Sequence, residues 1–583
     1  AGQTADKARN FSRTLPQDDG AAKSETEVML TYDDKFLYVG AICYNPIQKD
    51  YIIQSLKRDF SFPITDAFGI FIDPMNSKTS GFSFAVNPLG VQREGLVLSG
   101  GGYGVTTSWD NKWFSKVRDL GDKWIVEMAI PFKTIRYNDQ NNTWGLNFAR
   151  NDLKQPETST WSAVPTQFNV ASLAFTGQLI WDKAPKKAGA NIAFIPYTTV
   201  GLQQNSSNNE AVSTKGTSVG FDAKIAITSS LNLDLSVNPD FSQVEVDRQV
   251  INLDRFSLFF PEQRDFFIEN SDLFGFGISS VRPFFSRRIG LKSGKAVPIL
   301  GGARLTGNLS ENWRIGLMSV QTEGLTEASD NIAVQAQNYS VATMQRKIWA
   351  RSNLTAFFLN RQAFDGYHLD TDDYNKVAGA AFNYLSSNGK WESFVQYHLS
   401  FTQYDSTIFS KKASDRSGYF MGIEHKGRNL FGLVNFNYLG NDYRADMGFV
   451  QELYHRNDEL GTSTAIPYYT SSQTLGYRIL PKSSKHIRNY GLQYSGKLFF
   501  NTTTFALTDR KSSARLFAEL NDGSTAYLQY NNYATQLYFP TNITGTMDSL
   551  LQADTYHYND IEANISSSKR YKLYSTISLR YGG

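Results

Sequence analysis

Two hydrophobic patterns divide the chain. Up to about residue 185, short apolar runs are bounded by Gly, Pro, Asn and Asp, as in AFGIFIDP (67–74) and GFSFAVNPLG (81–90). The stretch VMLTYDDKFLYVGAICY (28–44) is typical of a hairpin that turns at Asp33 and Asp34. Apolar runs with this punctuation predict an all-β sandwich over residues 1–185.

Beyond the polar stretch WDKAPKKAGA (181–190), apolar and polar residues alternate over long runs. In LNLDLSVN (231–238) the odd positions are apolar and the even positions are polar, and LFGLVNFNY (430–438) and YKLYSTISLRY (571–581) show similar alternation. A period of two places each set on one face of a strand. Residues 186–583 are therefore predicted to form a second, antiparallel β domain.

The connections in this second part differ in length. Short turns are predicted at 228–230, 310–312, 350–352, 386–390, 425–429, 521–523 and 566–570. Longer polar loops are predicted at 203–216, 322–337, 363–375 and 402–414. Such asymmetry is typical of an outer-membrane barrel, and the alternative is a water-soluble antiparallel sheet with one wet face.

The predicted fold is a sandwich followed by a large transmembrane β-barrel of about 16–18 or more strands, and roughly 17 strands can be counted after residue 190. Bacterial barrels close with an even number of strands. Either the count is off by one, or the chain stops before its barrel closes.

A long segment at 239–296 interrupts this alternation. It is rich in phenylalanine, which is hazardous in water, and in charge, which is costly in lipid. Long irregular connections are usually functional. We predict an inward-folded plug or constriction, the alternative being an extracellular lid packed on itself. The candidate plug residues are Asp240, Glu245, Asp247, Arg248, Phe259, Phe260, Arg264, Phe266, Phe267, Arg287 and Arg288, with the last two arginines expected to pair with carboxylates of the segment.

Composition narrows the function classes. The chain has 58 basic and 55 acidic residues, a net charge of +3, so it carries no whole-chain signature of nucleic-acid binding. One cysteine, Cys43, excludes an internal disulfide and is predicted to be a buried, inert thiol. No stretch approaches the ~18 apolar residues of a membrane-spanning helix. No signal peptide opens the sequence, so an exported protein would have this sequence only after processing or trimming.

The sequence contains no recognisable catalytic motif. Six histidines are scattered without metal-binding spacing, and GxSxG is absent. GLKSGKA (290–296) is one residue short of a phosphate-binding loop, and Ala296 stands where Ser or Thr would meet Mg²⁺. Paired carboxylates for glycoside hydrolysis cannot be recognised from sequence, because their separation decides the chemistry.

Both halves resemble known families. The first resembles a carbohydrate-binding module of family 9, through EVMLTYDDKFLYVGAICY, TDAFGIFIDP, GFSFAVNPLGV, WIVEMAIPF and WGLNFARN followed by TWSAVP. The second resembles the outer-membrane β-barrel domain classed as domain of unknown function 5916, through NPDFSQVEVD and RFSLFFPEQRDFFIEN followed by DLFGFG. These resemblances imply an outer-membrane protein of a Gram-negative bacterium, in contact with lipid and lipopolysaccharide.

The sugar-binding resemblance also implies a site. Two aromatic rings hold the sugar while polar groups orient its hydroxyls. Trp161 is the candidate for one ring and Phe60 or Phe62 for the other. The candidate polar partners are Arg58, Asp66, Arg93, Glu94, Asn147 and Arg150. The alternative is that Trp161 is core and the charges line an interface with the barrel.

Some relatives hold Ca²⁺, for which Asp33, Asp34 and Asp73 are the candidates; otherwise such aspartates cap turns, and no other cofactor is expected. The first functional prediction is an outer-membrane barrel whose periplasmic sandwich binds peptidoglycan or imported oligosaccharide, or which permits limited passage. The second is an accessory structural subunit of a larger outer-membrane assembly, secretion or uptake machine, with other outer-membrane proteins as partners. The third is a glycoside hydrolase.

Overall fold

The computed structural model of the protein describes residues 7–139, 141–186, 192–207, 210–228, 230–239, 259–260, 262, 264–292, 295–326, 333–404, 412–482, 484–542 and 550–583. Within these ranges the protein has no helix with the length and apolar character needed to cross a membrane. Its α-helix is the single turn α1 (Asp265–Ile268). Short 3-10 turns occur at Phe62–Ile64, Ser99–Gly101, Leu173–Phe175, Ser271–Phe274, Ser286–Arg288 and Ser414–Arg416.

In the described part of the chain, twelve strands precede the predicted boundary. They are β1 (Ser12–Leu15), β2 (Thr26–Tyr32), β3 (Phe36–Tyr44), β4 (Ala67–Asp73), β5 (Gly81–Val86), β6 (Gln92–Val97), β7 (Val105–Thr106), β8 (Phe114–Asp119), β9 (Lys123–Pro131), β10 (Thr143–Asp152), β11 (Glu157–Thr160) and β12 (Gly177–Ile180).

The strands that follow are β13 (Ile192–Ser207), β14 (Glu210–Ala226), β15 (Leu231–Val237), β16 (Val281–Arg282), β17 (Leu291–Lys292), β18 (Lys295–Ala296), β19 (Ile299–Asn308), β20 (Trp313–Thr322), β21 (Leu325–Thr326), β22 (Ala333–Val334), β23 (Ala336–Ile348) and β24 (Ser352–Asp365).

The remaining strands are β25 (His368–Leu385), β26 (Trp391–Tyr404), β27 (Ser417–Lys426), β28 (Leu430–Leu439), β29 (Phe449–Val450), β30 (Tyr454–Asn457), β31 (Thr462–Ala465), β32 (Tyr468–Ile479), β33 (Ile487–Asn501), β34 (Leu507–Leu520), β35 (Thr525–Gln536), β36 (Thr555–Ser566) and β37 (Thr576–Gly582).

The N-terminal part is a two-sheet sandwich. A four-stranded sheet has the order β2-β3-β9-β8, and an eight-stranded sheet has the order β1-β11-β10-β4-β5-β6-β7 with β12 beside β10. Alternate side chains of both sheets fill the space between them, with Trp124, Trp144, Phe68 and Phe148 among the most buried. Cys43 belongs to this core, as predicted, and burial raises its pKa to about 11.

The other face of the eight-stranded sheet has a thinner apolar cover. Phe60 and Phe62 precede β4, Ala171 and Leu173 follow β11, and all four pack with Phe71 of β4. Consecutive residues of β4 thus enter different cores, which explains why every residue of this strand is buried.

Among the described residues the second part contains four two-stranded sheets and one large antiparallel sheet of 17 strands. Its order is β13-β14-β15-β19-β20-β23-β24-β25-β26-β27-β28-β32-β33-β34-β35-β36-β37. The large sheet contains the roughly 17 strands that were predicted, and eight shorter strands of the described residues (β16–β18, β21, β22 and β29–β31) lie outside it. The predicted transmembrane barrel stays a prediction. Across the described residues β13 and β37, the two end strands, are not paired with each other. The predicted loops at 203–216 and 363–375 are wrong, because β13–β14 and β24–β25 continue as hydrogen-bonded hairpin arms through polar sequence.

The 17-stranded sheet has two unlike faces. One, the packed face, bears buried side chains such as Met318, Val341, Phe357 and Phe420. The other, the bare face, bears exposed apolar side chains of the intervening positions, such as Phe358.

Two segments fill much of the packed face. Residues 264–292 contribute Phe267, Phe274, Phe276 and Ile289 to its apolar cluster, and the ring of Phe276 stacks on Phe357 of β24 with centroids 4.0 Å apart. Because side chains alternate between the two faces along β24, Phe357 and the other packed-face residues of this strand point toward the segment.

The second segment, residues 440–453, was not predicted from the sequence. It contributes Tyr443, Met447 and Leu453 to the same cluster. It also pairs with the first segment, because β16 lies antiparallel to β29. Backbone N–H and C=O groups that are not paired with a strand of the large sheet thus find hydrogen-bond partners in the neighbouring segment.

The sandwich lies against the short-turn end of the large sheet. Arg351, in the β23–β24 turn, donates to the carbonyls of Ser386 (3.0 Å) and Lys78 (3.4 Å). Arg428, between β27 and β28, pairs with Asp18 at 2.5 Å. The turns that join neighbouring strands therefore form the surface on which the sandwich sits.

Glu269 joins all three parts of the protein. Its carboxylate pairs with Arg136 of the sandwich and, at 3.6 Å, with Lys224 of β14. Its carbonyl accepts a hydrogen bond from Arg304 of β19 at 2.6 Å. The preceding residue, Ile268, is buried in the sandwich core cluster. Because Glu269 is buried, removing one partner would leave uncompensated charge at this junction.

Neighbouring phenylalanines of β24 test this two-faced arrangement. Phe357→Ala is expected to lower the free energy of unfolding by about 3–5 kcal/mol, because it removes a ring buried against Phe276. It should also increase hydrogen exchange at residues 274–281. Phe358→Ala, 45% exposed on the bare face, is the matched control with a much smaller effect. Equal losses in urea unfolding of the full chain would contradict this assignment.

Candidate functional site

A groove crosses the outer face of the four-stranded sheet. Along β3 and β9 every second residue enters the core, which leaves Tyr38, Gly40, Ile125 and Ala129 pointing outward. Because Gly40 and Ala129 are small, they leave a depression in the middle of this face. Larger side chains on both sides form its edges. The resulting groove has a volume of about 1120 Å³.

Connections outside the sheet build the walls of this groove. Leu56 and Arg58 come from the segment before β4, and Leu89 comes from the β5–β6 turn. Leu56 and Leu89 are 72% and 61% exposed, so the walls offer apolar surface that the protein itself does not cover.

Aromatic rings line one side. Phe114 of β8 is 48% exposed and lies beside the outward face of Ala129. Phe36 contacts both Phe114 (6.2 Å between centroids) and Tyr38 (5.8 Å). The hydroxyl of Tyr38 donates to Asp33 at 2.9 Å, which fixes the direction of the ring. Floor and rings together suit a ligand with both apolar faces and polar edges.

A charged cluster borders the groove beside Arg58. The guanidinium of Arg58 forms an ion pair with Glu94, and its Nε lies 3.7 Å from Asp110. Glu94 is fully buried, and its second oxygen accepts a hydrogen bond from the indole of Trp113 at 3.1 Å. Both oxygens of Glu94 are therefore engaged within the protein, so it presents no free carboxylate to a substrate.

Asp59 completes this cluster. Its carboxylate accepts the backbone N–H of Glu94 at 3.3 Å. Burial raises the pKa of Asp59 to about 6, and the negative charges of Glu94 and Asp110 act in the same direction. One oxygen each of Asp59, Glu94 and Asp110 lies within 4.8 Å of the others, a spacing that fits a cation, but the guanidinium of Arg58 already neutralises charge there.

The structure separates the predicted sugar-binding residues. Arg58 and Glu94 are in direct contact at the groove. Arg93 points to the opposite face of β6, where it is buried and its Nε has no hydrogen-bond partner among the described residues. Phe60 is 3% exposed and packs in the thinner apolar cover of the eight-stranded sheet, so its ring lies against the protein. Its stacking on a sugar stays a prediction.

Two more predicted residues have structural contacts. The buried guanidinium of Arg150 donates to the carbonyls of Glu25 (2.8 Å) and Tyr44 (2.7 Å), which links the two sheets. Asp66 accepts the backbone N–H groups of Ile52 and Leu153, and burial raises its pKa.

Trp161 and Asn147 lie together, away from the groove lining. Trp161 is half-buried against Phe148, with ring centroids 5.8 Å apart. Asn147 holds the next residue, Ser162, through two hydrogen bonds of 2.8 and 2.9 Å. These contacts fasten the chain after β11 to the sandwich.

The three aspartates predicted for Ca²⁺ are not brought together. Asp33 accepts the N–H groups of Lys35 and Phe36 at the hairpin turn. Asp34 pairs with Lys186, and Asp73 caps the turn after β4 through the N–H of Lys78. In the structure these carboxylates cap turns or form a surface pair.

Several predicted plug residues lie in the segments on the packed face. Phe266 and Phe267 contact one another at 5.0 Å. Phe259 contacts Phe285 and Phe449, which places it between the two segments. Asp240, Glu245, Asp247 and Arg248 lie outside the described residues.

The predicted arginines of this segment have different kinds of contact. Arg264 forms an ion pair with Glu262 at 2.7 Å. Arg288 donates to the carbonyl of Gly448 at 3.2 Å, and Arg287 lies 5.9 Å from the ring of Phe260. The expected pairing of Arg287 and Arg288 with carboxylates remains a prediction.

Sequence reasoning missed the aromatic side of the groove. Tyr38 and Phe114 lie in strands that were recognised, but only register across β3, β9 and β8 places them beside the same small residues. A signal was present in FLYVGAICY (36–44), where Gly40 breaks an outward-facing row that includes Phe36 and Tyr38.

Comparison with family models gives one match in each half of the chain. Residues 4–172 match the family model described as carbohydrate family 9 binding domain-like, and residues 190–311 match domain of unknown function 5916. The resemblances to these two family models are thereby confirmed, whereas the outer-membrane barrel expected with the second one stays a prediction. A comparison with curated proteins gives no match.

Two solved structures are also similar to this chain. A carbohydrate binding module family 9 from Caldicellulosiruptor kristjanssonii in complex with cellotriose is 17% identical, with 31% of this chain and 83% of that chain covered and a TM-score of 0.23. The complex with glucose is 17% identical, with 31% and 88% covered and a TM-score of 0.22.

The raised pKa of Asp59 predicts a pH dependence. Its value is about 6 in the folded protein against an ordinary value of 3.8, so between these pH values the folded state binds the proton more tightly. Its contribution to stability is therefore largest at low pH and is lost as pH rises through 6. Asp59→Asn keeps a side-chain oxygen that can accept the backbone N–H of Glu94, and it removes the negative charge. In hydrogen-exchange measurements, the amides of β6 should be better protected in the variant than in the unchanged protein near pH 7.5. This difference in protection should shrink by pH 5. A difference that stays constant with pH would contradict the raised pKa of Asp59.

Proposed function

We propose that this protein is an outer-membrane β-barrel protein whose sandwich binds glycan in the periplasm. The observation that carries the membrane part is the bare face of the 17-stranded sheet. Across thirteen strands from β20 onward, large aliphatic or aromatic side chains on this face are substantially exposed. Representative residues, one from each strand, are Leu317, Met344, Phe358, Tyr384, Val395, Met421, Val434, Leu475, Leu492, Leu516, Leu528, Ile561 and Leu579.

Strand register joins these side chains into a continuous apolar surface. Leu492 of β33 lies opposite Leu516 of β34, which lies opposite Leu528 of β35. Soluble monomers rarely expose apolar patches larger than a few hundred Å². Lipid is the environment in which such a surface is stable, because hydrocarbon chains replace the water that would otherwise contact it.

Aromatic residues mark both edges of this surface. Tyr397, Tyr419, Tyr438 and Tyr469 form one row across β26, β27, β28 and β32, with neighbouring rings 4.9, 5.7 and 4.9 Å apart. Trp391 and Tyr477, both exposed, lie nearer the short-turn end. From Tyr469 to Tyr477 the strand rises roughly 27 Å. That height is close to the ~25 Å apolar band flanked by aromatic girdles in outer-membrane barrels.

The same orientation supports a periplasmic sandwich. Periplasmic turns of such barrels are short, and the sandwich contacts the short-turn end through Arg351 and Arg428. In the proposed barrel the packed face is the interior. Residues 264–292 and 440–453 then form a plug that narrows the passage.

The glycan part of the proposal is supported by the groove and by the family match of residues 4–172. Sugars have apolar faces that stack on rings and hydroxyls that need fixed polar partners. Phe114 and Tyr38 supply rings, while Arg58 and Gln92 supply polar groups at the wall. We propose an oligosaccharide or a peptidoglycan strand as the ligand.

Charge substitutions on β34 test the membrane proposal. Leu516→Arg places a guanidinium on the bare face, so we expect the protein folded in lipid vesicles to lose about 2–4 kcal/mol of stability in urea. Ser513→Arg, on the packed face of the same strand, is the control and should lose much less. Material that stays dissolved without detergent, or equal effects of the two variants, would refute membrane insertion.

Ring removal in the groove tests the glycan proposal. With detergent-solubilised full-length protein, Phe114→Ala is expected to weaken binding to an oligosaccharide panel about 3- to 10-fold, as one ring contact is worth about 0.5–1.5 kcal/mol. Tyr103→Ala, which removes an 88% exposed ring outside the groove, is the control. If no glycan binds and another outer-membrane protein co-purifies stoichiometrically, the accessory-subunit function replaces this one.

A further inference from the structure

The packed face changes character after β33. Phe499 of β33 still packs against the apolar cluster, but β34, β35 and β36 contribute none of its described residues. Apart from Phe517 of β34, the side chains that continue this face by register are polar or amphipathic: Gln493 of β33 lies opposite Arg515 of β34, which lies opposite Gln529 of β35. This part of the sheet is therefore built for contact with water or a hydrophilic solute.

A chain of hydrogen bonds crosses these strands. Arg515 donates to Gln529 (2.5 Å), Gln529 to Asn531 (2.6 Å), and Asn531 to Asp560 of β36 (2.7 Å). Asp560 in turn pairs with Arg580 of β37 at 2.5 Å. Each polar side chain holds the next one in place, so donors and acceptors are presented in a fixed row.

Aromatic rings flank this row at both ends. Tyr533 and Tyr558 stack with centroids 4.6 Å apart and planes inclined by 14°. Tyr527, toward the short-turn end, lies 4.3 Å below the guanidinium of Arg515 and donates to Glu562 at 2.6 Å. On β35, Tyr527 and Tyr533 are six residues apart, or roughly 20 Å along the strand.

Charges of both signs lie along this region. Arg580 is paired with Asp560, while Arg515 and Glu562 both contact Tyr527, and Lys511 lies 5.8 Å from the ring of Tyr533. An ion would have to compete with these partners, whereas a neutral polyol can stack on rings and exchange hydrogen bonds with water-accessible groups. The fixed polar groups and the rings thus complement a neutral, hydroxylated chain better than an anion.

We propose that the packed face of β34–β36 is a binding track for neutral oligosaccharide, centred on Tyr527, Gln529, Asn531, Tyr533 and Tyr558. This inference deepens, and rests on, the proposed barrel and glycan function. The track runs from the loop end toward the short turns, where Asn521 lines a cavity together with Gln17 and Glu157 of the sandwich. A sugar bound along it is directed from the loop end toward the sandwich.

The test uses full-length protein in detergent with three neutral hexasaccharides, made of α-linked glucose, β-linked glucose and β-linked N-acetylglucosamine. Phe114→Ala is introduced first to weaken the groove contribution by the expected 3- to 10-fold. In that background, calorimetry should still detect one of the sugars. Adding Tyr533→Ala with Tyr558→Ala should weaken its binding about 5-fold or more, because two stacking surfaces are lost. Tyr530→Ala, on the bare face of the same strand, should leave it unchanged.

Three outcomes overturn the inference. Sugar binding that disappears with Phe114→Ala alone leaves the groove as the glycan site and removes the track. Equal effects of the Tyr533/Tyr558 and Tyr530 variants show that the loss is not specific to this face. Binding of hexagalacturonate in preference to every neutral sugar rejects the neutral class. Failure of the barrel itself is detected separately, because the protein would then remain dissolved without detergent.

Discussion

The alternation of side chains along a β-strand is the constraint on which this structure depends. Because successive residues point to opposite faces, a one-residue slip in register would exchange every buried side chain of a strand for an exposed one. Phe357 and Phe358 show the consequence: the first stacks on Phe276, and the second lies on the bare apolar face. Seventeen antiparallel strands extend that separation across the large sheet.

Charged contacts connect the parts that this alternation creates. Ring contacts alone would hold the two segments on the packed face without fixing their orientation. Glu269 gives the layer a defined position, since it meets Arg136 of the sandwich and Lys224 of β14. A buried charge with several partners is costly to leave unpaired, so the arrangement favours one relative placement of sandwich, segment and sheet.

The two proposed sugar-binding surfaces use the same physical elements in different settings. In the sandwich groove, Phe114 and Tyr38 stand beside the low floor at Gly40 and Ala129. On β35 and β36, Tyr533 and Tyr558 stand beside amides and carboxylates that hold one another. Both combine a ring face with fixed polar groups, which is the chemistry that a sugar requires. These residue types can be read from the sequence, but whether they form a binding surface depends on their neighbours in other strands.

The sequence by itself determined the strand content, the change of pattern near residue 185, the number of strands and the two family resemblances, because these depend on local alternation and turn residues. Tertiary structure alone decided that Phe60 is buried, that Arg150 links two sheets, and that residues 440–453 pack beside 264–292. It also decided that Tyr38 and Phe114 share a groove. These features arise from contacts between residues far apart in the chain, and a local period contains no information about which distant strand or segment will be the partner.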